Sequence, residues 1–445
     1  MKINRSTTRR SFLKNTLWTA GGLAFPAIVR ADVLGLNNRI SASSKLNIGS
    51  IGLGKMGHSD LNLILGCSEV RVTSLCDVET KRLQWGVDKV NNRYQNSECK
   101  SFSDWRQLLA QPDLDGVIIS TQDHWHGVIA TAACKAGKAV YLQKPIALTH
   151  YEGQQIVAAA KRYNTVLQVG SQQRSEASFH TGCELVRNGY FGALKSVRLT
   201  LTNSVTPLNS FEPEPIPPTL DWEMWLGPAP WRPYSSQLCP IKDKEADMPF
   251  PNWRGTREMA NGGLGDFSPH NADIAQWGSN HDHSGPVQFI PPNSKEKRGL
   301  KFVYSNGIEM ECGSYEFVEE GTNAPADSIP MVRFDCEAGW VLTGRGDLLM
   351  ASDPELLRRG LNAEDIRLFR ARNHYQAWVD AIRNSHPTIA SVEMGHRSAS
   401  FGWLGNICIE LNRPLQWDPL AEQFVNDPEA NARLRRPLRA PWVLG

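Results

Sequence analysis

Paired cysteines are missing from this sequence: the nine thiols, at 67, 76, 99, 134, 183, 239, 312, 336 and 408, are scattered, odd in number and never set C-x-x-C. That spacing excludes a zinc ribbon or a disulfide framework as the organising element, and the thiols read as reduced core residues. Net charge is nearly absent too, at +2, so no broad field directs the chain to nucleic acid or a charged membrane surface. Beyond residue 31 no run is apolar for long enough to span a bilayer, so no stable membrane anchor is expected. Internal repeats and low-complexity tracts are also lacking. No metal site is expected: His281 and His283 flank Asp282, but their Gly- and Ser-bounded surroundings read as a solvated loop.

The apolar stretch from Leu17 to Val29 follows Thr8-Arg9-Arg10-Ser11-Phe12-Leu13-Lys14, and Val29-Arg30-Ala31 offers small residues for cleavage. Residues 1–31 therefore read as a twin-arginine signal, which implies the twin-arginine export machinery as a partner and a periplasmic location. Gly21-Gly22 and Pro26 argue against the alternative, an amphipathic first helix of the fold. Export after folding in a reducing compartment is compatible with unpaired thiols.

The rest of the chain is too long for one ordinary core and suits two domains. Short apolar runs at Leu46–Ile51, Val70–Leu75, Gly116–Ser120 and Ala139–Leu142 alternate with helical patterns at Ser59–Leu65, Thr80–Val90 and Gly127–Ala136. Such alternation predicts a doubly wound parallel sheet, a Rossmann domain over 45–165, completed by a helix at Tyr151–Tyr163 and a strand-like Thr165–Val169. Afterwards the pattern changes. Leu194–Asn203, Leu300–Tyr304, Ile308–Tyr315, Met331–Cys336 and Gly339–Thr343 have strand character without regular intervening helices. They predict a C-terminal α+β domain over 166–445 with an open, mainly antiparallel sheet, closed by helices between Ala363 and Arg383 and between Gly395 and Leu411. The Pro- and Trp-dense stretch from Ser210 to Pro251 reads as an ordered loop, since its aromatics need something to pack against.

Directly after the first strand comes Gly52-Leu53-Gly54-Lys55-Met56-Gly57. The first glycine permits the tight turn, the second lets a pyrophosphate approach the backbone, and the third lets helix pack on strand. The phosphates would meet amides at a helix N-terminus, whose partial positive charge favours an anion. Asp77 ends the second strand, where a carboxylate accepts from ribose hydroxyls and repels a 2′-phosphate. NAD is thus favoured over NADP, a preference that nearby Lys81 and Arg82 weaken.

Two further segments lie outside the carboxyl ends of strands, where such sheets place their ligands: Thr121-Gln122-Asp123-His124-Trp125-His126 and Gln143-Lys144-Pro145. Thr121, Gln122, His126, Gln143 and Lys144 join Gly52, Gly54, Lys55, Met56, Gly57 and Asp77 as candidate cofactor contacts. A third segment, Gly262 to Asp273, sets Asp266, His270 and Asp273 on roughly one side of a helix starting near Ser268.

With these motifs the chain resembles the glucose-fructose oxidoreductase and inositol dehydrogenase family, also called Gfo/Idh/MocA, and the run Gln168 to Arg174 is similar to its exported branches. Thr121 to His126 stands for Thr-Pro-Asn-x-x-His, Gln143-Lys144-Pro145 for Glu-Lys-Pro, and Asp266-x-x-x-His270 with Asp273 for the catalytic helix. The resemblance implies Lys144 and His270 flanking nicotinamide and a reacting carbinol, with Asp266 assisting, and a homo-oligomer. Chemistry supplies the same roles: histidine takes the hydroxyl proton, Lys144 stabilises alkoxide charge and orients the hydroxyl, and Asp266 orients or charge-balances the imidazole. Two departures stand out, Gln143 in place of glutamate and Ser268-Pro269 before the histidine. Arg174, Trp253, Arg254 and Asp273 are candidate substrate contacts, with Trp125 a further aromatic; packing is an equal reading for the tryptophans, and a helix-surface role for Asp273. The function implied is NAD-dependent hydride transfer at a secondary alcohol of a sugar, glycoside or cyclitol. The alternative is redox-neutral glycoside cleavage by oxidation, elimination and reduction, and a non-catalytic NAD-binding role ranks last.

Overall fold

Strong apolar runs and glycine turns give the first half its order. The computed structural model describes residues 44–201, 210–313 and 331–445, so the export signal expected at 1–31 lies outside the described residues, as do Asn203 and Tyr315 at the ends of two expected strands. Strands β1 (Leu46–Ile51), β2 (Val70–Cys76), β3 (Lys100–Phe102), β4 (Gly116–Ile119), β5 (Ala139–Leu142) and β6 (Leu167–Val169) form one parallel sheet in the order β3-β2-β1-β4-β5-β6. The order reverses beside β1, so its carboxyl end and that of β4 bound a crevice. β4 and β5 are buried along their whole length because helices cover both faces, which explains their unbroken apolar sequences.

The second sheet holds β7 (Leu194–Thr200), β8 (Gln288–Ile290), β9 (Lys301–Val303), β10 (Glu309–Gly313), β11 (Met331–Cys336), β12 (Gly339–Gly344), β13 (Leu349–Ala351), β14 (Leu415–Asp418) and β15 (Gln423–Phe424). Its order is β13-β12-β11-β7-β10-β9-β8-β14-β15, antiparallel except for the β7–β10 pair. The expected α/β plus α+β architecture is therefore the observed one.

Several boundaries differ for physical reasons. β6 pairs with β5 from Val140↔Leu167 to Leu142↔Val169, so the first sheet continues past 165. β3 and the short helix Trp105–Leu109 escaped notice because a three-residue strand has no periodicity to detect. The helix expected from Ala363 begins only at His374, where Asn373 caps it by accepting from Tyr375 N and Gln376 N. That helix, His374–Asn384, returns to the first sheet and buries Tyr375 and Trp378 against Ile48, Ile118 and Tyr141. The Ser210–Pro251 stretch is ordered, as its aromatics required: Trp222 stacks on Trp225 at 4.6 Å between ring centres, and both bury with Tyr234, Leu238 and Met259.

The helix carrying Asp266 and His270 starts at Gly262, not near Ser268, and runs to Gly278 with Pro269 inside. Proline lacks the amide that would bond the carbonyl of Gly265, so intrahelical bonding alone does not hold this turn. Packing does: the helix lies along Val392–Leu411, and a side-chain carbon added to Gly402 would come within 2.7 Å of Gly265 Cα. Glycine at 402 lets the backbones approach closely and fixes the depth at which Asp266 and His270 stand.

Candidate active site

At the end of β1, Gly52 turns with φ +86°, and a side-chain carbon there would sit 2.8 Å from the carbonyl oxygen of Ser120. Gly57, one turn into the helix Lys55–Ile64, approaches the Gly52 carbonyl so closely that a side-chain carbon would lie 2.0 Å from it. Gly54 caps that helix and faces open space, with nothing within 4 Å of an added carbon. The three glycines thus have three separate reasons, and the open one stands where a pyrophosphate would meet the helix amides.

Asp77 is buried, its Oδ2 accepting from Leu53 N at 2.6 Å and its Oδ1 from Glu79 N at 2.8 Å. Burial raises its carboxyl against the pull of Arg82 and these two amides. Each oxygen keeps a lone pair for a ribose hydroxyl. Arg82, the group able to meet a 2′-phosphate, donates to Pro240 O at 2.6 Å, while Lys81 is drawn outward to Asp243.

A cleft of about 720 Å³ runs from Asp77 and Arg82, past Gly54 and Lys55, to Lys144, Asp266 and His270. Thr121, Gln122, Gln143, Met56, Trp253 and Arg254, all candidate contacts from the sequence, also line it. Phe250 stands over its mouth, with Lys55 Nζ 4.5 Å and Arg254 4.9 Å from its ring centre. The Pro- and Trp-rich segment therefore contributes part of the cleft wall.

At the far end Lys144 Nζ donates to Asp266 Oδ1 at 2.6 Å and to its backbone oxygen at 3.0 Å, and Arg254 pairs with Oδ2. Burial alone would raise the Asp266 carboxyl, but Lys144 and Arg254 outweigh it and hold the group well below the usual carboxylate range. Asp266 is accordingly the anchor of two cations. Of the two roles expected of it, orienting or charge-balancing the imidazole, the first has no hydrogen bond behind it, since among the described residues His270 Nδ1 is buried without a partner; the negative field of Asp266 reaches the ring through space. Burial, then the positive fields of Lys144 and Arg345, push the His270 imidazole well below its ordinary value. His270 is thus neutral at pH 7 and lines the cleft, with a proton affinity below that of an ordinary imidazole.

Three expected contacts lie elsewhere, and a fourth, Trp125, is mostly enclosed. His126 is enclosed, its Nδ1 2.7 Å from Pro145 O and its Nε2 3.2 Å from Thr121 O, so it braces the two loops and does not line the cleft. Arg174 and Asp273 form a two-point ion pair at 2.7 and 2.9 Å in the interior, shared with Asp282, and neither lines the cleft. Three such groups satisfy one another, which spares the fold the cost of an unpaired buried charge. Trp125 reaches the cleft wall but is 3% exposed, donating to the carbonyls of Met224 and Trp225 and packing on Trp442 at 4.6 Å. Among the described residues one group, His150, His396 and Glu422, gathers metal-ligand types, with His396 Nε2 3.0 Å from Glu422.

Gln143 has a structural explanation. Its amide donates to Asp60 at 2.9 and 3.1 Å, and Ser120 and Tyr375 donate to the same carboxyl at 2.5 and 2.6 Å. A glutamate at 143 would face a second buried carboxylate; the amide converts repulsion into a hydrogen bond.

Sequence reasoning passed over Asp123 and Arg345, both on the cleft wall. Asp123 was inside a segment already singled out, whereas Arg345, in the β12–β13 turn, carries no local signal. Burial, then the negative field of Asp266, push the Asp123 carboxyl up to about 8. Because the folded form holds this proton more tightly than an unfolded carboxyl of 3.8, its contribution to stability is complete below that value and drains away as pH rises through about 8. Asp123→Asn cannot ionise, so its melting midpoint relative to the native protein should climb between about pH 4 and about pH 8 and level off above. Parallel melting profiles for the two proteins would refute this.

Comparison with known proteins follows the same division. A model described as an oxidoreductase family with NAD-binding Rossmann fold matches residues 46–171, and its companion for the C-terminal alpha/beta domain matches 203–301 and 362–444. Inositol 2-dehydrogenase of Salmonella typhimurium strain LT2 is 28% identical over 187 residues, covering 41% of this chain and 54% of that protein. A glycosyl hydrolase family 109 protein 2 of Shewanella sp. strain ANA-3 is 29% identical over 206 residues, covering 42% and 44%. The chain thus spans about half the length of the curated relatives it matches. Among solved structures, the WlbA dehydrogenase of Bordetella pertussis in complex with NADH and UDP-GlcNAcA aligns with TM-score 0.59 at 16% identity, over 84% of this chain and 99% of that one. The aldose-aldose oxidoreductase of Caulobacter crescentus aligns at 0.56 and 17%, over 84% and 99%, and these likenesses concern the fold. With both halves matched in order and the glycine turn, lysine loop and histidine helix converging on one cleft, this chain belongs to the Gfo/Idh/MocA oxidoreductase family.

Proposed function

We propose that this protein is an exported, NAD-dependent oxidoreductase acting on a secondary alcohol of a sugar, glycoside or cyclitol, with the dinucleotide held tightly. The observation that carries the reading is one cleft joining the glycine turn to Lys144, Asp266, Arg254 and His270. The open space at Gly54 and the spare lone pairs of Asp77 fit a dinucleotide, and Asp77 with Arg82 already engaged favours NAD over NADP. When bound, NAD accepts or returns a hydride. Lys144, pinned by Asp266, donates to the substrate hydroxyl and lowers the cost of alkoxide charge. His270, neutral and on the cleft wall, takes the hydroxyl proton.

Redox-neutral glycoside cleavage remains the second reading because Asp123 supplies what elimination requires, a carboxylic acid still protonated at neutral pH beside the reacting end. The family 109 relative, by its name a glycosyl hydrolase, supports it. Export rests on the twin arginines at 9 and 10, and a homo-oligomer on the family resemblance.

Cofactor retention separates these ideas from a scaffold role. Protein purified from the exported fraction without added nucleotide, then denatured, should release NAD or NADH in about one-to-one ratio. Incubation with sugars and glycosides, read by mass spectrometry, should then show either loss of two hydrogens or cleavage without net NADH. An empty protein with weak, reversible NAD binding would sink the resident-cofactor proposal.

A further inference from the structure

Charge at the reacting end of the cleft is unbalanced. Lys144 and Arg254 share the carboxylate of Asp266, one on each oxygen, and the neighbouring Asp123, whose carboxyl burial and Asp266 push up to about 8, adds no full negative charge at neutral pH. A third cation, Arg345, enters the same cleft from the turn between β12 and β13, on the other sheet. It is half-buried, and no ion-pair partner or hydrogen bond is found for it among the described residues. Glu176 and Asp266 act on it only through space, and Glu176 does not line the cleft.

A guanidinium withdrawn from water is costly unless paired, and folded proteins pair such groups with one another or with a ligand. Arg174 shows the first solution in this molecule, its guanidinium enclosed by Asp273 and Asp282. Arg345 lacks it and faces the cavity instead. Guanidinium is also a planar fork of donors that matches carboxylate and phosphate oxygens two at a time.

Building on the function proposed above, we propose that Arg345 is an anion-binding element of the substrate subsite and that the substrate is an anionic sugar, carrying a carboxylate or a phosphate. A neutral sugar would leave Arg345 desolvated and unpaired; an acidic one completes its donor fork and offsets surplus positive charge around the centre. The same anion would weaken the positive field that Lys144 and Arg345 impose on His270, restoring proton affinity to the base when substrate is present. Arg345 thus acts by binding, and it selects for charge while Lys144 and His270 handle the hydroxyl.

The test uses full-length, nucleotide-loaded protein and matched sugars: glucose against glucuronate and glucose 6-phosphate, galactose against galacturonate. Binding is read by calorimetry, so the result does not depend on turnover, and nucleotide content is measured separately. At least one acid should bind about 10-fold or more tightly than its neutral partner, as expected for a charge-assisted pair worth about 1.5–3 kcal/mol. Arg345→Gln should collapse that ratio towards one, and Arg345→Lys should restore part of it. The winning acid distinguishes carboxylate from phosphate. Acids that bind no better than neutral sugars, or an Arg345→Gln protein with native melting that keeps the full preference, would overturn the inference. Loss of bound nucleotide with the acid preference intact would instead count against the oxidoreductase reading alone.

Discussion

Turnover should fall by about 10²-fold or more when His270 is replaced by alanine, while bound nucleotide stays at its native level. The imidazole is enclosed, neutral and without a hydrogen bond at Nδ1, so its removal takes away a proton acceptor without breaking a bond that supports the fold. Lys144→Ala should cost a comparable factor by removing the donor to the developing alkoxide. Its partner Asp266 remains tied to Arg254, which limits rearrangement of the anchor. The measurements are single-turnover rates, melting midpoints and nucleotide content of each purified variant. A well-folded His270→Ala protein with kcat within a few-fold of native would remove histidine from the chemistry.

Cofactor loss is the second large effect, and Gly54→Leu should produce it cleanly. An added carbon at Gly54 meets nothing within 4 Å, so the side chain extends into the space reserved for pyrophosphate and not into protein. Overpacking of this kind costs about 1–3 kcal/mol, or about 5- to 150-fold in NAD affinity, with an unchanged melting midpoint in the absence of nucleotide. Gly57 cannot make this separation, because its added carbon would strike the Gly52 carbonyl at 2.0 Å and disturb the sheet as well. If Gly54→Leu binds NAD as the native protein does, the glycine turn is not where the dinucleotide lies.

Much of the first domain could be read before any fold was known. β4 and β5 are unbroken apolar runs because both faces of their sheet are covered, β1 and β2 are mostly apolar at their buried positions, and the glycine turn follows β1 directly. The cleft residues Gly52, Gly54, Lys55, Asp77, Lys144, Asp266 and His270 were all found by motif. Fewer boundaries could be placed in the second half, where strands of three residues and a proline inside a helix defeat periodicity. Arg174 and Asp273 illustrate the limit from the other side. Each has the chemistry of a substrate contact, and only their 2.7 Å pairing shows that they spend it on each other.

The division follows the range of the forces involved. A glycine turn, a helix cap or a buried strand is specified by residues within a few positions of one another, so composition and order alone determine Gly52, Gly54, Gly57 and the strands around them. Charge partners and proton affinities are set by whatever the chain brings within a few ångströms. Lys144 meets Asp266 across 122 positions, and Tyr375 reaches Asp60 across 315 to complete the cradle that makes Gln143 intelligible. The depressed His270, the raised Asp123 and an Arg345 with no partner among the described residues all arise from such encounters, because burial and long-range fields exist only once the two sheets are packed.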